Sequence, residues 1–393
     1  MPISYLYDCL IAGGSYIGLS VAIAVKASAP HMKICLVDSA PEEAICHDER
    51  ASAIAVSASR MLNQLGIWRL VKDEAQSIRE MIVTDSRTDD PIRPIFLTFG
   101  RSKPTEIFAY MVPNRSLIMA LRNRVRELEI ETIHDDKVHS FTTSDLTACI
   151  TLKSGNQLHT RLLIAADGVN SSLREQSSIR VVRWDYNQTA IVTTITHERD
   201  HNGRAEEHLL PGGPFAMLPL RDNRTSLVWS EPTLAAKELL ASDKETFSRV
   251  LQNRLGHKLG PIYVDSPHKG FPITLTLARE FVRHRFVLVG DAAHVIHPIA
   301  GQGLNLGFKD VSALAKTIVE AERLNLDIGL LTILEHYQRS RRFDTVKMSI
   351  MTDMLNRLFS NDHSLLRFVR MIGLGIVDRT PTLKQFFINQ ASS

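Results

Sequence analysis

A buried strand, an acidic turn and a helix start are predicted within residues 285–310, which read RFVLVGDAAHVIHPIAGQGLNLGFKD. Four apolar residues, 286–289, lead to Gly290 and Asp291, whose carboxylate can accept hydrogen bonds from ligand hydroxyl groups. A proline-containing turn and a Gly-Gln-Gly run follow, and a helix begins near Leu304. Glycines permit close backbone approach, and a helix N-terminus favours negative charge. The pattern therefore predicts a ligand site, with an ordinary capped strand-loop-helix as the alternative.

A second candidate site opens the chain. An apolar strand, the turn GGSYIG and a helix are predicted over residues 5–29, and a second strand over 34–37 ends in Asp38. This is the dinucleotide-binding pattern, in which a helix N-terminus holds pyrophosphate and an acidic residue binds ribose hydroxyls. Ser15 replaces the second glycine of the pattern, but it is small and can donate a hydrogen bond to phosphate. A βαβ unit that binds nothing is the alternative.

A third motif reads LLIAADGVNSSLR over residues 162–174. Its apolar strand ends at Asp167 and a glycine, and Ser171 can cap the helix that follows. For Arg174 two roles stay open: a structural one, pairing with Asp167 or a helix end, and a functional one.

These three motifs, in this order, resemble the signatures of the single-component FAD-dependent aromatic hydroxylases and cover nearly the whole chain. The third matches the family pattern A-D-G-x-x-S-x-x-R at every defined position. Other segments resemble the ubiquinone-biosynthesis branch: DERASAIAVS at 48–57, VPNRSL at 112–117, GPFAMLPL at 213–220, SLVWS at 226–230 and HPIAGQGLNLG at 297–307.

The resemblance implies a fold and a reaction. The fold class is α/β, with a Rossmann-like FAD-binding domain, an inserted antiparallel β-sheet substrate domain and a C-terminal helical region. The reaction is hydroxylation of the aromatic ring of a lipophilic, prenylated phenol or quinone precursor. Family chemistry uses O2, FAD, a flavin C4a-hydroperoxide and a reductant expected to be NAD(P)H, and the protein excludes water.

The resemblance also assigns site residues. Asp291 is expected to face the FAD ribitol, and Asp38 the adenosine ribose. The turn at the reacting face of the flavin ring is assigned to Pro298, Gly301, Gln302 and Gly303. The other cofactor contacts are assigned to Gly13, Gly14, Ser15, Gly18, Arg50, Arg115, Val138, Asp167, Leu304 and Asn305. No catalytic acid or base is named and no metal site is expected. His294 and His297 flank the turn and are expected to be hydrogen-bonded structural groups.

The predicted domains are discontinuous. The FAD-binding domain is expected over 1–72, 108–179 and 278–329, and the substrate domain over 73–107 and 180–277. Alternating runs at 190–196 and 225–229 favour an antiparallel sheet with one covered face. Helices are predicted over 330–393. The apolar, arginine-flanked stretch 365–377 fits either a helix packed on the core or a partner, or a helix lying on a membrane.

Composition narrows the function classes. The 393 residues are 44% hydrophobic and 23% charged, as in an ordinary globular enzyme. The net charge of +3, without basic clusters interleaved with aromatics, argues against nucleic-acid binding. The cysteines are expected to be reduced, and the lack of a C-x-x-C pair argues against a disulfide reductase. These cysteines are Cys9, Cys35, Cys46 and Cys149.

The sequence also predicts where the protein is located, and it leaves alternative functions open. Without a visible targeting or membrane-spanning segment, the protein is expected to be cytoplasmic or peripheral on the inner face of a membrane. Homo-oligomerisation and membership of a quinone-synthesis complex stay open. So do a non-catalytic flavoprotein or assembly subunit and a hydroxylase of another aromatic compound. A flavin halogenase is disfavoured because Trp68, Trp184 and Trp229 are isolated, whereas halogenases carry W-x-W-x-I-P.

Overall fold

The computed structural model describes residues 6–42, 48–85, 95–99 and 107–360. The strands are β1 Leu6–Ala12, β2 Ile34–Val37, β3 Ala51–Ala55, β4 Gln76–Ile78, β5 Glu80–Asp85, β6 Ile95–Phe99, β7 Ala109–Pro113, β8 Glu131–Ile133, β9 Val138–Thr143, β10 Ala148–Leu152, β11 Gln157–Ala165, β12 Val181–His197, β13 Arg204–Leu210, β14 Gly213–Leu220, β15 Arg224–Pro232, β16 Ile262–Val264, β17 Lys269–Ala278, β18 Val282–Arg283, β19 Phe286–Leu288 and β20 His294–Val295. The α-helices are α1 Tyr16–Ser28, α2 Val56–Gln64, α3 Trp68–Val71, α4 Asn114–Glu127, α5 Ser172–Gln176, α6 Thr233–Ala241, α7 Lys244–Leu255, α8 Gln302–Arg323 and α9 Leu331–Phe359. Two 3-10 turns, Gly290–Ala292 and Ile299–Gly301, precede α8.

The first sheet has a parallel centre in the order β19-β11-β1-β2-β8. Its central strands are buried on both faces, so they read as continuous apolar runs rather than alternating ones. Helix α1 is buried from Gly18 to Val25 and packs between α4 and α8. Strand β18 pairs antiparallel with β19, while β9 and β10 extend from the first half of β11.

The second sheet has the order β20-β17-β12-β15-β14-β13-β5-β6, with β16 beside β12. The two runs predicted as antiparallel strands lie in β12 and β15, which pair antiparallel along nine positions from Gln188–Pro232 to Thr196–Arg224. Trp229 and Phe215 pack in its core with Phe247 of α7. This sheet and the doubly covered first sheet confirm the predicted fold class.

The second sheet also contains a parallel pair beside its antiparallel ones. Strand β5, from the first insertion, pairs parallel with β13. More than 100 residues separate the two strands in the sequence, so no tight hairpin fixes their relative direction. A third, small sheet has the order β3-β7-β4.

The C-terminal part of the described chain is α9, which runs for 29 residues. The stretch 365–377, the C-terminal residues 361–393 and Cys46 lie outside the described residues. Cys9 and Cys35 are buried free thiols, and burial raises the pKa of Cys35 to about 12. Among the described helices, none combines the length and apolarity needed to cross a bilayer.

Candidate cofactor site

Four parallel strands end together at one edge of the first sheet. Ala12 pairs with Val37 on one side and with Ala165 on the other, and Ala165 pairs with Leu288. Ligands of open α/β sheets bind outside the carboxyl ends of such strands. The turns of the three sequence motifs directly follow these strand ends. The first residues after the strands are Gly13, Asp38, Ala166, Asp167, Val289 and Gly290.

The glycines of the first turn are required by close contacts. Gly13 has φ of +116°, and a Cβ on it would lie 2.3 Å from the carbonyl oxygen of Ala166. A Cβ on Gly18 would lie 1.9 Å from the carbonyl oxygen of Gly13. A Cβ on Gly14 would lie 2.2 Å from Oδ2 of Asp38. Gly14, rather than the residue at position 15, therefore makes the close approach to the second strand.

Ser15 occupies the N-cap position of α1, with an extended backbone and an exposed side chain. Its hydroxyl makes no capping hydrogen bond to the helix. The first amide groups of α1 therefore receive no side-chain cap from Ser15, and they point toward the edge where the strands end. This is the arrangement that binds phosphate at helix N-termini.

We predict opposite results for two substitutions of Ser15. Ser15→Gly should be tolerated, because an N-cap glycine costs only a few tenths of a kcal/mol relative to serine, and FAD affinity should stay within about threefold. Ser15→Leu should abolish FAD binding, because its branched side chain occupies the space in front of the helix start. Isothermal titration of the apoprotein with FAD measures both, and an unchanged dissociation constant for Ser15→Leu would show that this turn does not hold the cofactor.

Asp38 lies at the ribose-binding position of the dinucleotide pattern. Its side chain is mostly buried, and its Oδ1 accepts a hydrogen bond of 3.1 Å from the amide of Ala40. Arg122 of α4 approaches Oδ2 at 3.7 Å, and both residues line a cleft of about 190 Å³. The sequence gives no signal for Arg122, which a distant helix brings to the site. The predicted adenine contact Val138 comes two residues after Asp136, whose amide donates to the Asp38 carbonyl at 3.3 Å.

The Asp167 turn contains a carboxylate oxygen without a protein partner. Oδ2 of Asp167 accepts a long hydrogen bond of 3.4 Å from the Leu173 amide, but the buried Oδ1 has no partner among the described residues. Burial raises the pKa of this carboxyl group. Arg174 donates to the carbonyl oxygens of Ala292 at 2.8 Å and Val169 at 3.1 Å. Arg174 therefore has a structural role, since it joins the Asp167 turn to the Asp291 turn.

The Asp291 turn depends on its glycine. Gly290 has φ of +58°, and a Cβ on it would lie 3.1 Å from the Ile17 side chain of α1. The next residue, Asp291, is exposed after the end of β19. Desolvation raises the pKa of Asp291, His294 opposes that shift and the negative charge of Asp310 adds to it.

A buried ionic cluster holds this turn from behind. The fully buried carboxylate of Asp310 accepts hydrogen bonds from the Gly290 amide at 3.0 Å, His294 Nε2 at 2.6 Å and Arg341 Nε at 2.8 Å. Burial opposes the charge of Asp310, but His294 and Arg341 outweigh it and lower its pKa. His294 is therefore a hydrogen-bonded structural group, as expected. The sequence motifs assign no role to Asp310 or Arg341. A charged residue on the buried, mostly apolar face of α8 would have indicated that Asp310 has a charged partner.

His297 differs from the structural role expected of it. The side chain is completely buried, and neither ring nitrogen has a hydrogen-bond partner among the described residues. Desolvation lowers its pKa to about 4, so the ring is neutral at pH 7. Its ring lies edge-on to Tyr186 of β12 at 5.1 Å between centroids. His297 directly precedes the exposed Pro298, and therefore joins the second sheet to the predicted flavin-ring turn.

The start of α8 faces open space. Gly301 adopts the left-handed conformation with φ of +63°, and no side chain caps the helix. A Cβ on Gly303 would have no atom within 4 Å. The side chain of Asn305 is used internally, because its Oδ1 accepts from the Ala55 amide at 2.9 Å and its Nδ2 donates to the Ala53 carbonyl at 2.8 Å. Of the other two predicted residues in this turn, Gln302 is buried and Leu304 is partly buried.

The two predicted basic contacts lie near each other. Arg50 forms a bidentate pair with Asp48, both bonds being 2.7 Å, and its guanidinium lies 4.8 Å from the centroid of the Phe271 ring. Burial disfavours the charge of Asp48, but hydrogen bonds from Arg50 and Asn114 outweigh it and lower its pKa to about 2. The Asn114 amide donates to the Arg50 carbonyl at 2.9 Å, which brings the exposed Arg115 beside this pair.

This edge of the sheet fits a dinucleotide cofactor. Helices α1 and α8 both begin without a side-chain cap, so amide groups of both helices are available to an anionic ligand. Within the described part of the chain, the buried Oδ1 of Asp167 lacks a donor and a Cβ on Gly303 would meet no atom within 4 Å. The glycine turns leave no room for side chains, so the backbone itself forms the wall of the site.

Sequence comparisons agree with this geometry. A profile of the family described as "FAD binding domain" matches residues 7–345. The chain is 39% identical to the ubiquinone hydroxylase UbiL of Rhodospirillum rubrum, over 98% of this chain and 89% of that protein. It is 30% identical to the mitochondrial ubiquinone biosynthesis monooxygenase COQ6 of Danio rerio, over 98% of this chain and 90% of that protein.

Solved structures share the fold. PqsL of Pseudomonas aeruginosa superposes with a TM-score of 0.79 at 22% identity, covering 95% of this chain and all of that chain. The p-nitrophenol 4-monooxygenase PnpA of Pseudomonas putida also gives 0.79, at 16% identity and 99% coverage of both chains. Such identities establish the architecture alone. With the family profile and the curated relatives, they show that the chain is an FAD-dependent aromatic hydroxylase and belongs to the FAD-binding monooxygenase family, in which its curated relatives act in ubiquinone biosynthesis.

Proposed function

We propose that this enzyme hydroxylates the aromatic ring of a prenylated phenol or quinone precursor in ubiquinone biosynthesis. The observation that carries the proposal is the 39% identity to a ubiquinone hydroxylase over 98% of the chain. FAD supplies the oxygen-activating chemistry when bound, and NAD(P)H is the reductant typical of this class. The work of the chain is to bind the cofactor, orient the ring of the substrate and exclude water.

The substrate ring is proposed to lie between the second sheet and the turn that begins at Pro298. Two features of this region support the placement. Pro298 is exposed beside the open start of α8, and Tyr186 of β12 packs on the adjacent His297. Both ring nitrogens of His297 are buried, so we assign to this residue a positioning role. Its ring packs on Tyr186 and holds the turn that begins at Pro298, beside which the substrate ring is proposed to lie.

Replacing His297 with leucine is predicted to stabilise the protein and impair the reaction. A buried imidazole without partners costs about 1–3 kcal/mol, and leucine removes that cost at similar volume. The same change should lower kcat for phenol hydroxylation at least tenfold. Thermal unfolding of the apoprotein and single-turnover product formation measure the two effects. A leucine variant that is less stable than wild type would show that the ring nitrogens have structural partners.

The pH dependence of stability provides an independent readout of His297. Its folded-state pKa of about 4 lies below the ordinary value of 6.5, so the unfolded chain takes up the proton first as pH falls. Titration of this ring therefore has no effect on stability well above pH 6.5, and it lowers the free energy of unfolding as the pH falls from 6.5 toward 4. The expected loss is on the order of 3 kcal/mol. His297→Leu should abolish this loss of stability between pH 6.5 and 4. His134→Leu, which replaces a partly buried histidine elsewhere, should leave the loss unchanged.

Two experiments test the proposed function. Purified enzyme should consume O2 and reductant and release hydroxylated product when given a short-chain prenylphenol. Deletion of the gene in its host should cause accumulation of the corresponding unhydroxylated precursor, identified by mass spectrometry. Hydroxylation of a non-prenylated phenol alone, with unchanged quinone levels in the deletion strain, would instead indicate a hydroxylase of another aromatic compound.

A further inference from the structure

Helix α9 has an exposed apolar stripe on the face opposite its buried side. Phe343, Ile350 and Met354 recur at helical spacing and are 75%, 60% and 66% exposed. Eleven residues of helix separate the first from the last, so the stripe is about 16 Å long. Large apolar side chains scattered singly on a surface need no explanation, but an aligned set indicates a binding surface.

The stripe continues onto the second sheet. The guanidinium of Arg357, one turn beyond Met354, lies 4.6 Å from the ring centroid of Trp184, which is 50% exposed. Val182, two residues before Trp184 on β12, projects on the same side of the strand and is also exposed. We call Phe343, Ile350, Met354, Trp184 and Val182 together the apolar face.

Basic side chains accompany the apolar face. Arg342 adjoins Phe343, and a hydrogen bond from Arg283 with the positive charges of Arg342 and Arg180 lowers the pKa of Glu280. The partly buried Lys347 follows Phe343 by one turn of α9. Acidic side chains are interspersed, since Asp353 pairs with Arg357 and Asp344 follows Phe343. Large apolar groups with an aromatic ring and a cationic border are the composition of surfaces that lie in the headgroup region of anionic membranes.

The apolar face is directly connected to the proposed substrate position. Tyr186 follows Trp184 by two residues on β12, and its hydroxyl donates to Asp353 of α9 at 2.9 Å. The ring of Tyr186 packs on His297, the residue before Pro298. Tyr186 and His297 therefore connect the apolar face to the predicted flavin-ring turn by direct contacts.

We propose that the apolar face docks on an anionic lipid surface and admits the substrate from the bilayer. Docking follows from the exposed side chains and their charge, while the role in substrate access rests on the proposed function. The surface is formed by described residues. Other occupants of the face, a second copy of the chain or the chain's own C-terminal residues, are distinguished by the experiment.

The test compares two triple variants of the holoenzyme. One carries Phe343→Ser, Ile350→Ser and Met354→Ser. The matched control carries Leu146→Ser, Leu234→Ser and Tyr263→Ser, at sites that are 77%, 76% and 68% exposed elsewhere. Co-sedimentation uses phosphatidylcholine vesicles with and without phosphatidylglycerol. Wild type and control should bind the anionic vesicles, and the apolar-face variant should bind at least tenfold more weakly.

Trp184 reports directly on the contact. Trp229 is buried and Trp68 is partly buried, so a brominated lipid should quench mainly the exposed Trp184. Quenching should occur with wild type and disappear in Trp184→Phe, which should still sediment with the vesicles. Absence of quenching with vesicle-bound wild type would overturn the proposal.

Further outcomes separate the alternatives. Vesicle binding that persists in the apolar-face variant but is lost in Phe368→Ser, Ile372→Ser and Ile376→Ser would overturn the proposal and assign docking to the C-terminal residues. A dimer that becomes monomeric in the apolar-face variant, with unchanged vesicle binding, would overturn it in favour of a second copy.

Turnover of a water-soluble prenylphenol should be unchanged in the apolar-face variant, while turnover of a long-chain substrate in vesicles should fall at least tenfold. If wild type turns over neither substrate, the proposed function fails, and vesicle binding still decides the docking.

Discussion

Asp291→Ala is expected to yield a folded protein that has lost its flavin. Asp291 is exposed after β19, whereas the conformation of the turn is set by Gly290 and by Asp310, which accepts a hydrogen bond from the Gly290 amide. Loss of a hydrogen bond to a charged group costs about 1.5–3 kcal/mol, which corresponds to a 10- to 100-fold weaker affinity for FAD. Visible flavin absorbance of the purified protein and fluorescence titration of the apoprotein measure the loss.

The control for this substitution is Asp73→Ala, at an exposed aspartate after α3. It should retain full flavin content and wild-type affinity. Circular dichroism of both apoproteins should show the same unfolding temperature within a few degrees. Full flavin occupancy at ordinary affinity in Asp291→Ala would contradict the assignment of this carboxylate to the cofactor.

Asp310→Ala is predicted to have the largest effect on the stability of the protein. The substitution leaves Arg341 and His294 buried without the carboxylate that both contact, and it removes the acceptor of the Gly290 amide. Breaking a buried ion pair by removing one partner costs about 3–5 kcal/mol. Urea unfolding of the apoprotein should show a loss of this size in the free energy of unfolding, and bound FAD should be lost as well.

Two companion variants separate positioning from stability. Arg341→Met combined with Asp310→Asn removes the uncompensated buried charge, and should recover most of the lost free energy of unfolding. FAD affinity should nevertheless remain weakened, because an amide holds Gly290 and His294 less firmly than the carboxylate does. Thr345→Val, at a buried hydroxyl on the same helix, serves as a packing control with unchanged FAD affinity. If the double variant recovers both the free energy of unfolding and the FAD affinity, the ionic cluster around Asp310 contributes to stability alone.

The sequence predicts the elements that have local signals. The strand expected at 34–37 has those bounds, and the strand expected over 5–12 is present from Leu6, the first described residue, to Ala12. The helix expected near Leu304 begins at Gln302, because Gly301 in the left-handed conformation fixes the start of the helix. Continuous apolar runs and glycines at fixed offsets determine these elements, and both can be read without tertiary information.

Features that depend on tertiary contacts could not be predicted in this way. His294 and His297 stand three residues apart in one motif, yet His294 bonds Asp310, whereas the His297 ring lies edge-on to Tyr186. The bidentate pair of Arg50 with Asp48 is also a contact that the motif does not predict. The direction of β5 in the second sheet depends on a crossing between distant segments rather than on a turn. The proposed roles of the cofactor-contacting residues stay predictions until the variants are measured.

The strand order of the first sheet has a consequence for synthesis of the protein on the ribosome. Strand β19 reaches its place beside β11 only after 120 intervening residues, and α8 then packs on α1 from the opposite end of the chain. Translation proceeds from the N-terminus at about 5–20 residues per second, so the Gly13 turn leaves the ribosome many seconds before the Gly290 turn. During that interval the nascent chain contains the Gly13 and Asp167 turns of the predicted cofactor site but not the Gly290 turn. The edge of β11 that later pairs with β19 is therefore unpaired. Flavin capture is consequently a late event, and a shortage of riboflavin should expose a nearly complete chain to proteases rather than an early fragment.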